Sequence, residues 1–381
     1  MTDTFAPRKR LEHEMTTNKI ESLDELKAHL YLAMQLEHAT IPPYLTALYS
    51  IKHGTNMDAV KVLRVIAVEE MLHLTIAANL MNSIGGKADL TVKGFVPSYP
   101  AYLPDGETDF QVNLAAFNRD TLESFMQIER PGAVIEQGKL VHRKYHPGTT
   151  AIAASPGHPE MHYYSIGDFY YAVEQGLRHL EKQAQARGET IFTGDPKRQV
   201  TSEYYYSGGG ELHAVVDLAS ALEGMRLIME QGEGDGGGIY DNERELAHYF
   251  RFEELSLGRY YQPGDTAGNP TGPTFTVDWD GAYPIKPNLK LAEIPPGSEL
   301  YKAALSFNRQ YAEFLKMLTR AFDGEPQLLL EAVPKMFDFR NLMGELIRNP
   351  LPGGGGFHAM PTFEIDILTA ALPAATEAVQ A

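Results

Sequence analysis

Two apolar stripes at helical spacing, each carrying ionisable residues on the seam itself, constrain this chain more than any other feature. The first begins at Ser22, which forms a capping-box pattern with Glu25, and runs to about His53 through Leu26, Leu30, Met34, Glu37, Ile41, Tyr44 and Leu48. The second runs from about Met57 to Ile84 through Leu63, Ile66, Glu70, His73, Ala77, Leu80 and Ile84, and stops at Gly85 and Gly86. Glu70 and His73 are three positions apart and project from one helix face. A charge on a buried seam is costly unless an opposite charge lies beside it, so the pattern predicts a helix hairpin with a cation on its inner face. Pro42 and Pro43 fall one turn beyond Glu37 and predict a kink there, since proline removes a helical hydrogen bond.

Residues 87–164 change character. Prolines, glycines and short alternating pieces such as FQVNL predict an insertion of loops, a few strands and one short helix near 120–129. Helical periodicity returns at about 166–186 through Ile166, Tyr170, Val173, Leu177 and Leu180. It returns again at about 211–231 through Val215, Leu218, Leu222, Met225 and Met229, with Glu223 and Glu230 beside that seam. The stretch GEGDGGG reads as a turn into a helix at about 242–261. Two more helices are expected near 299–322 and 326–347, before a loop-like tail. The expected architecture is all-α: a four-helix bundle core within 21–261, the insertion at about 87–164, and additional C-terminal helices in 262–381 packed on the bundle. Residues 1–20 are expected to form a disordered tail.

Of the thirteen histidines, two have a glutamate three residues earlier, giving Glu70 with His73 and Glu245 with His248. Each pair is placed on the second helix of a hairpin whose first helix supplies a seam carboxylate, Glu37 in one case and Glu230 in the other. Two helices giving Glu and two giving Glu-x-x-His is the pattern of a carboxylate-bridged dimetal site in a helical bundle. Two divalent ions need several anionic oxygens, a bridging carboxylate to hold them close, and imidazoles that leave coordination positions open. The expected ligands are therefore Glu37 and Glu230 as terminal carboxylates, Glu70 and Glu245 as bridges, and His73 and His248 as caps. Glu69 is an alternative to Glu70, and Glu223 or Glu233 to Glu230. Glu174 reads as structural, and His38, off the stripe, as an outer or surface residue. Arg251 and Arg259 are candidates for a substrate carboxylate or for surface pairing.

The absence of cysteine leaves His, Asp and Glu as metal ligands and suits iron first and manganese second. With 43% apolar residues the 381-residue chain can bury a large core. A net charge of −17 argues against nucleic acid or an anionic membrane as partner. No stretch reads as a targeting or membrane-spanning segment, so a cytoplasmic location is expected.

The segments QLEHATIPPYL (35–45), VEEMLHL (68–74), FMQIERP (125–131), SIGDFYYAVEQGL (165–177), MEQGEG (229–234) and AHYFRFEEL (247–255) together resemble the ferritin-like domain of the iminophenyl-pyruvate dimer synthase family. That domain also occurs in the synthases of violacein and rebeccamycin assembly, which couple imines derived from aromatic 2-oxo acids. The likeness covers about residues 22–260, with MPTFE near the end similar to the family's tail. It implies metal positions at Glu37, Glu70, His73 and around His248, and Glu129 of the IERP segment matches a recurrent family position. The expected function is a non-haem di-iron or di-manganese oxidase or oxygenase, using O2 on a small organic, aromatic amino-acid-derived substrate. The alternatives are a metal-binding protein without organic turnover and a structural accessory protein. A homo-oligomer is compatible with all three.

Overall fold

Helix α1 (Leu23–Ser50) starts where expected because Ser22 accepts the amide of Glu25 while Glu25 accepts that of Ser22, two otherwise orphaned donors. The computed structural model describes residues 19–105, 109–136, 139–142, 163–205 and 209–366. The expected disordered tail lies outside them except for Lys19 and Ile20, and Ile20 is buried. α1 runs unbroken through Pro42 and Pro43. Pro43 has no amide for the carbonyl of Ala39, and the buried hydroxyl of Tyr99 donates to that carbonyl at 2.8 Å instead.

Helix α2 (Met57–Ser83) returns along α1 and makes the most extensive helix contact in the molecule. Helices α4 (Ile166–Gln185) and α5 (Leu218–Glu233) pack on each other, α4 against α1 and α5 against α2, which closes a four-helix bundle. The insertion contributes α3 (Arg119–Ile128) and a two-stranded antiparallel hairpin, β1 (Ala133–Glu136) with β2 (Lys139–His142). Helix α6 (His248–Leu257) packs on α3, α2 and α5. Helices α7 (Glu299–Phe322) and α8 (Leu328–Ile347) form a second hairpin laid on the outer side of α1 and α2. Among the described residues, no helix is long and apolar enough to cross a membrane.

Two helices are shorter than periodicity predicts. α5 begins at Leu218 because Asp217 caps the Ser220 amide. It ends at Gly234, whose φ of +87° and whose missing Cβ, which would meet the Gly238 carbonyl at 2.3 Å, both require glycine. α6 begins at His248 rather than near 242. Asp241 takes the Glu245 amide on its side chain and Arg244 adopts φ +67°, so the chain before His248 is a tight loop.

His38 faces α7, not solvent. Its Nε2 lies 2.7 Å from the Tyr311 hydroxyl, and burial drives its pKa down to about 3. The unfolded chain takes up this proton near pH 6.5 and the native state does not, so native stability falls as pH drops below 6.5. At about 1.4 kcal/mol per unit, metal-free protein should lose roughly 2 kcal/mol through His38 between pH 7 and pH 5. His38→Gln keeps a partner for Tyr311 and should flatten that loss in urea denaturation. An identical pH slope in both proteins would refute the buried neutral imidazole.

Candidate metal centre

Five buried side chains from four helices converge inside the bundle: Glu37 of α1, Glu70 and His73 of α2, Glu129 at the C-terminal cap of α3, and His248 at the first position of α6. They form two triplets, Glu37–Glu70–His73 and Glu70–Glu129–His248, each with its potential ligand atoms within 4.8 Å of one another. Nδ1 of His73 lies 3.5 Å from Glu37 Oε2 and 3.7 Å from Glu70 Oε1. Nδ1 of His248 lies 3.1 Å from the same Glu70 Oε1 and 3.5 Å from Glu129 Oε2. One carboxylate oxygen is thus shared by both halves, and the two imidazoles stack with centroids 5.5 Å apart.

The outer contacts decide which nitrogen faces inward. The Gln231 amide donates to the Gly209 carbonyl, which turns its Oε1 toward His73 Nε2 at 2.8 Å, so that nitrogen carries the proton. His248 Nε2 faces Glu69 Oε2 at 3.0 Å, and Glu69 is held from behind by Arg251 at 2.8 Å. Both Nδ1 lone pairs are left for the interior. The carboxylates are oriented likewise: Tyr170 donates to Glu37 Oε1 and Tyr44 to Glu129 Oε1, each at 2.5 Å, and Thr40 to Glu70 Oε2 at 2.9 Å. Each carboxylate therefore keeps one oxygen tied to a hydroxyl and turns the other toward a histidine.

Burial and the neighbouring Glu129 and Glu37 charges push Glu70 up to about 7. Burial alone would lower both histidines. For His73, Glu37 and Glu70 outweigh it and raise the pKa; for His248, Glu129, Glu69 and Glu70 raise it well above the usual value. Both shifts have one cause, an uncompensated negative field in a dry site. The donor set fits a metal pair: His248 Nδ1, a buried atom without a well-formed hydrogen bond, faces two carboxylate oxygens at 3.1 and 3.5 Å, and only a proton or a metal cation between them relieves the repulsion. A divalent ion that displaces the proton would satisfy the same three atoms at once.

The structure gathers Glu37, Glu70, His73 and His248 and leaves out Glu230 and Glu245. Glu245 lies in the loop before α6, mostly exposed, and pairs with Arg251 at 3.2 Å; outside a helix, the three-residue spacing to His248 puts the two on no common face. Glu230 lies 3.8 Å from Arg226 on α5. One turn on, Glu233 lines the void beside the cluster, but the Gly132 and Gly167 amides occupy its oxygens at 2.9 and 2.6 Å. Burial and Asp168 push it up to about 7. Glu69 supports His248 rather than replacing Glu70, and Glu223 is exposed. Glu174 bonds Arg178 on the helix surface, and Arg259 bonds the Gly272 carbonyl. Glu129, rather than the expected bridge Glu245, is the carboxylate that stands with Glu70 beside His248, and it belongs to one triplet only. It has no helical partner, so spacing is silent about it, and family likeness alone singled it out. Tyr44 and Tyr170 were legible only as seam residues, although a buried tyrosine hydroxyl needs a partner.

A ferritin-like family model matches residues 30–257. The chain belongs to the ferritin-like family. Among curated proteins it is similar to dichlorochromopyrrolate synthase of Lentzea aerocolonigenes, at 22% identity over 98% of this chain and 39% of that protein. It is also similar to 2-imino-3-(indol-3-yl)propanoate dimerase of Chromobacterium violaceum, at 24% identity over 62% of this chain and 23% of that protein. The chain thus spans well under half the length of these relatives. The crystal structure of a ferritin-like protein from Caulobacter vibrioides superposes with a TM-score of 0.57 at 20% identity, covering 90% of this chain and 99% of that one, a likeness of fold.

Proposed function

We propose that this ferritin-like protein is a dinuclear non-haem oxidase or oxygenase, with iron as the metal and manganese as the alternative. Its substrates would be O2 and a small aromatic amino-acid-derived molecule. The observation that carries the proposal is Glu70 Oε1, shared by two buried triplets whose histidines both turn Nδ1 inward. Glu37, Glu70 and His73 would hold one ion, and Glu70, Glu129 and His248 the other. When bound, such a pair supplies the redox chemistry with dioxygen that carboxylates and imidazoles lack.

The protein's part is positioning and exclusion. Tyr170, Tyr44 and Thr40 fix the carboxylate rotamers, and Gln231 and Glu69 fix the imidazole tautomers, so little reorganisation remains when ions enter. The void beside the cluster, about 10 Å³, has room for roughly one water. A dry site of this kind strengthens the field that draws divalent ions in and limits loss of reactive species to solvent. The substrate class comes from the names of the two relatives, a synthase and a dimerase of an indole-bearing imino acid. The coupling reaction itself is not carried over, because the chain spans so little of their length.

Protein purified without chelator should contain about two iron or manganese ions per chain by elemental analysis. Anaerobically loaded with Fe(II) and mixed with oxygenated buffer, it should oxidise iron faster than free Fe(II), with a transient absorbance. Two bound ions without accelerated oxidation would leave metal binding without turnover and overturn the enzyme assignment.

A further inference from the structure

A second cavity lies between the α1–α2 hairpin and α7–α8, with a volume of about 570 Å³. Its walls on α1 and α2 include Ile41, Leu45 and Leu48 and Ala67, Met71 and Leu74, and none of Glu37, Glu70, His73, Glu129 and His248 is among its described lining residues. The cavity is nearly four times the size that holds benzene in an engineered core, roughly 150 Å³, and falls in the range of ligand sites.

Its charge is unusual for this molecule. The chain carries 50 acidic residues against 33 basic ones, yet among the described residues the lining includes Lys52, Arg64, Arg340 and Arg348 and no Asp or Glu. Among the described residues, no carboxylate pairs with Arg64 or Arg340. The cations are also segregated. Burial raises the pKa of the Tyr49 hydroxyl while the charges of Arg340 and Arg64 act against it, which places these three near one another by the α1–α2 loop, where Lys52 also lies. The other end is walled by Leu74, Phe314, Leu315, Leu318 and Phe322, anchored near the end of α2 by a hydrogen bond from Asn82 to the Phe322 carbonyl. Of the polar atoms there, His38 Nε2 is engaged by Tyr311 and the Thr75 hydroxyl donates to the Met71 carbonyl, which leaves His38 Nδ1 as a buried atom without a hydrogen-bond partner among apolar walls. From Arg64 to Thr75 the helix rises roughly 16 Å.

We infer that this cavity binds a long-chain acyl carboxylate, with its head group at Arg64 and Arg340 and its hydrocarbon tail toward Leu318 and Phe322. Two guanidinium forks from different helices match a carboxylate, and the length and apolar far end match a chain of about a dozen carbons better than a compact ring. Phe337 and Met57, exposed by 68% and 63% at the rim, gain cover from such a ligand. None of the residues of the metal cluster takes part, so the site functions whether or not metal binds.

The test is calorimetric titration of the full chain, metal-free and metal-loaded, with dodecanoate, with uncharged dodecan-1-ol and with naphthalene-2-carboxylate. One dodecanoate should bind per chain equally in both forms, at least about tenfold more tightly than either comparison compound. The Arg64→Met/Arg340→Met double variant changes only exposed heads and should lose about tenfold or more in dodecanoate affinity while binding dodecan-1-ol as before. Absence of binding, equal affinity for the alcohol, tighter binding of the naphthoate, or an unchanged double variant would each overturn the inference. A requirement for metal would overturn the separation of the two sites.

Discussion

Glu70→Gln protein is expected to retain less than about a tenth of the metal of the wild type at both positions. Oε1 of Glu70 faces His73 and His248 alike, so its loss removes an anionic oxygen from both triplets. The substitution preserves volume and can still accept from Thr40, which keeps the failure chemical rather than structural. Stability of the metal-free protein should change in the opposite direction. A carboxyl whose folded pKa is raised to about 7 binds its proton more tightly in the native state, so its ionisation destabilises the fold progressively between pH 4.5 and 7. At pH 8, metal-free Glu70→Gln should therefore be more stable than the wild type by on the order of 3 kcal/mol, and the gain should vanish toward pH 4.5. Elemental analysis and urea denaturation read the two effects separately. Glu245→Gln and Glu230→Gln, by contrast, should keep full metal. If either lost an ion while Glu70→Gln kept both, the cluster as described would not be the metal centre.

Arg251→Met should destabilise the protein by about 3–5 kcal/mol, the cost of leaving a buried charge without its partner. Glu69 is only 2% exposed and is held by Arg251 and His248 alone among the described side chains. Burial would raise its pKa, but the His248 hydrogen bond and the His248 and Arg251 charges outweigh it and hold the carboxyl low. With the guanidinium gone, Glu69 either takes up a proton, which weakens its grip on the outer nitrogen of that imidazole, or draws a second proton onto His248, which occupies Nδ1; both disfavour a cation there. Metal affinity of the Glu70–Glu129–His248 half should fall about 10–100-fold, as for outer partners of metal-bound histidines. The double variant Glu69→Gln/Arg251→Met leaves no buried carboxylate unpaired, since Glu245 is exposed to water, and should recover most of the stability in denaturant titration. A single-variant cost below about 1 kcal/mol would show that the ion pair does not hold this side of the bundle together.

The bundle and half of the candidate centre were legible because helix periodicity is local. Leu26 to Leu48 and Leu63 to Ile84 mark their buried faces through the 3.6-residue repeat, and Glu37, Glu70 and His73 stand on those faces whatever packs against them. His248 was legible as a histidine but not in its setting. Its apparent partner Glu245 is separated from it by the start of α6, in a tight loop held by the Asp241 side chain on the Glu245 amide and by left-handed Arg244. Glu129 closes a helix of ten residues inside an irregular insertion, with no spacing to announce it.

The sequence alone determined an all-α chain with a carboxylate-rich seam between its first two helices, because burying a stripe and satisfying a charge are demands each helix meets turn by turn. That Glu129 and His248, 119 positions apart and each at a helix end, complete a second triplet around Glu70 follows from packing alone. Packing also decides which nitrogen of each histidine turns inward, through Gln231, Glu69 and Arg251. The physical reason is range: periodicity encodes which side of a helix is buried, whereas the partner that side meets depends on how α3 and α6 pack across the bundle.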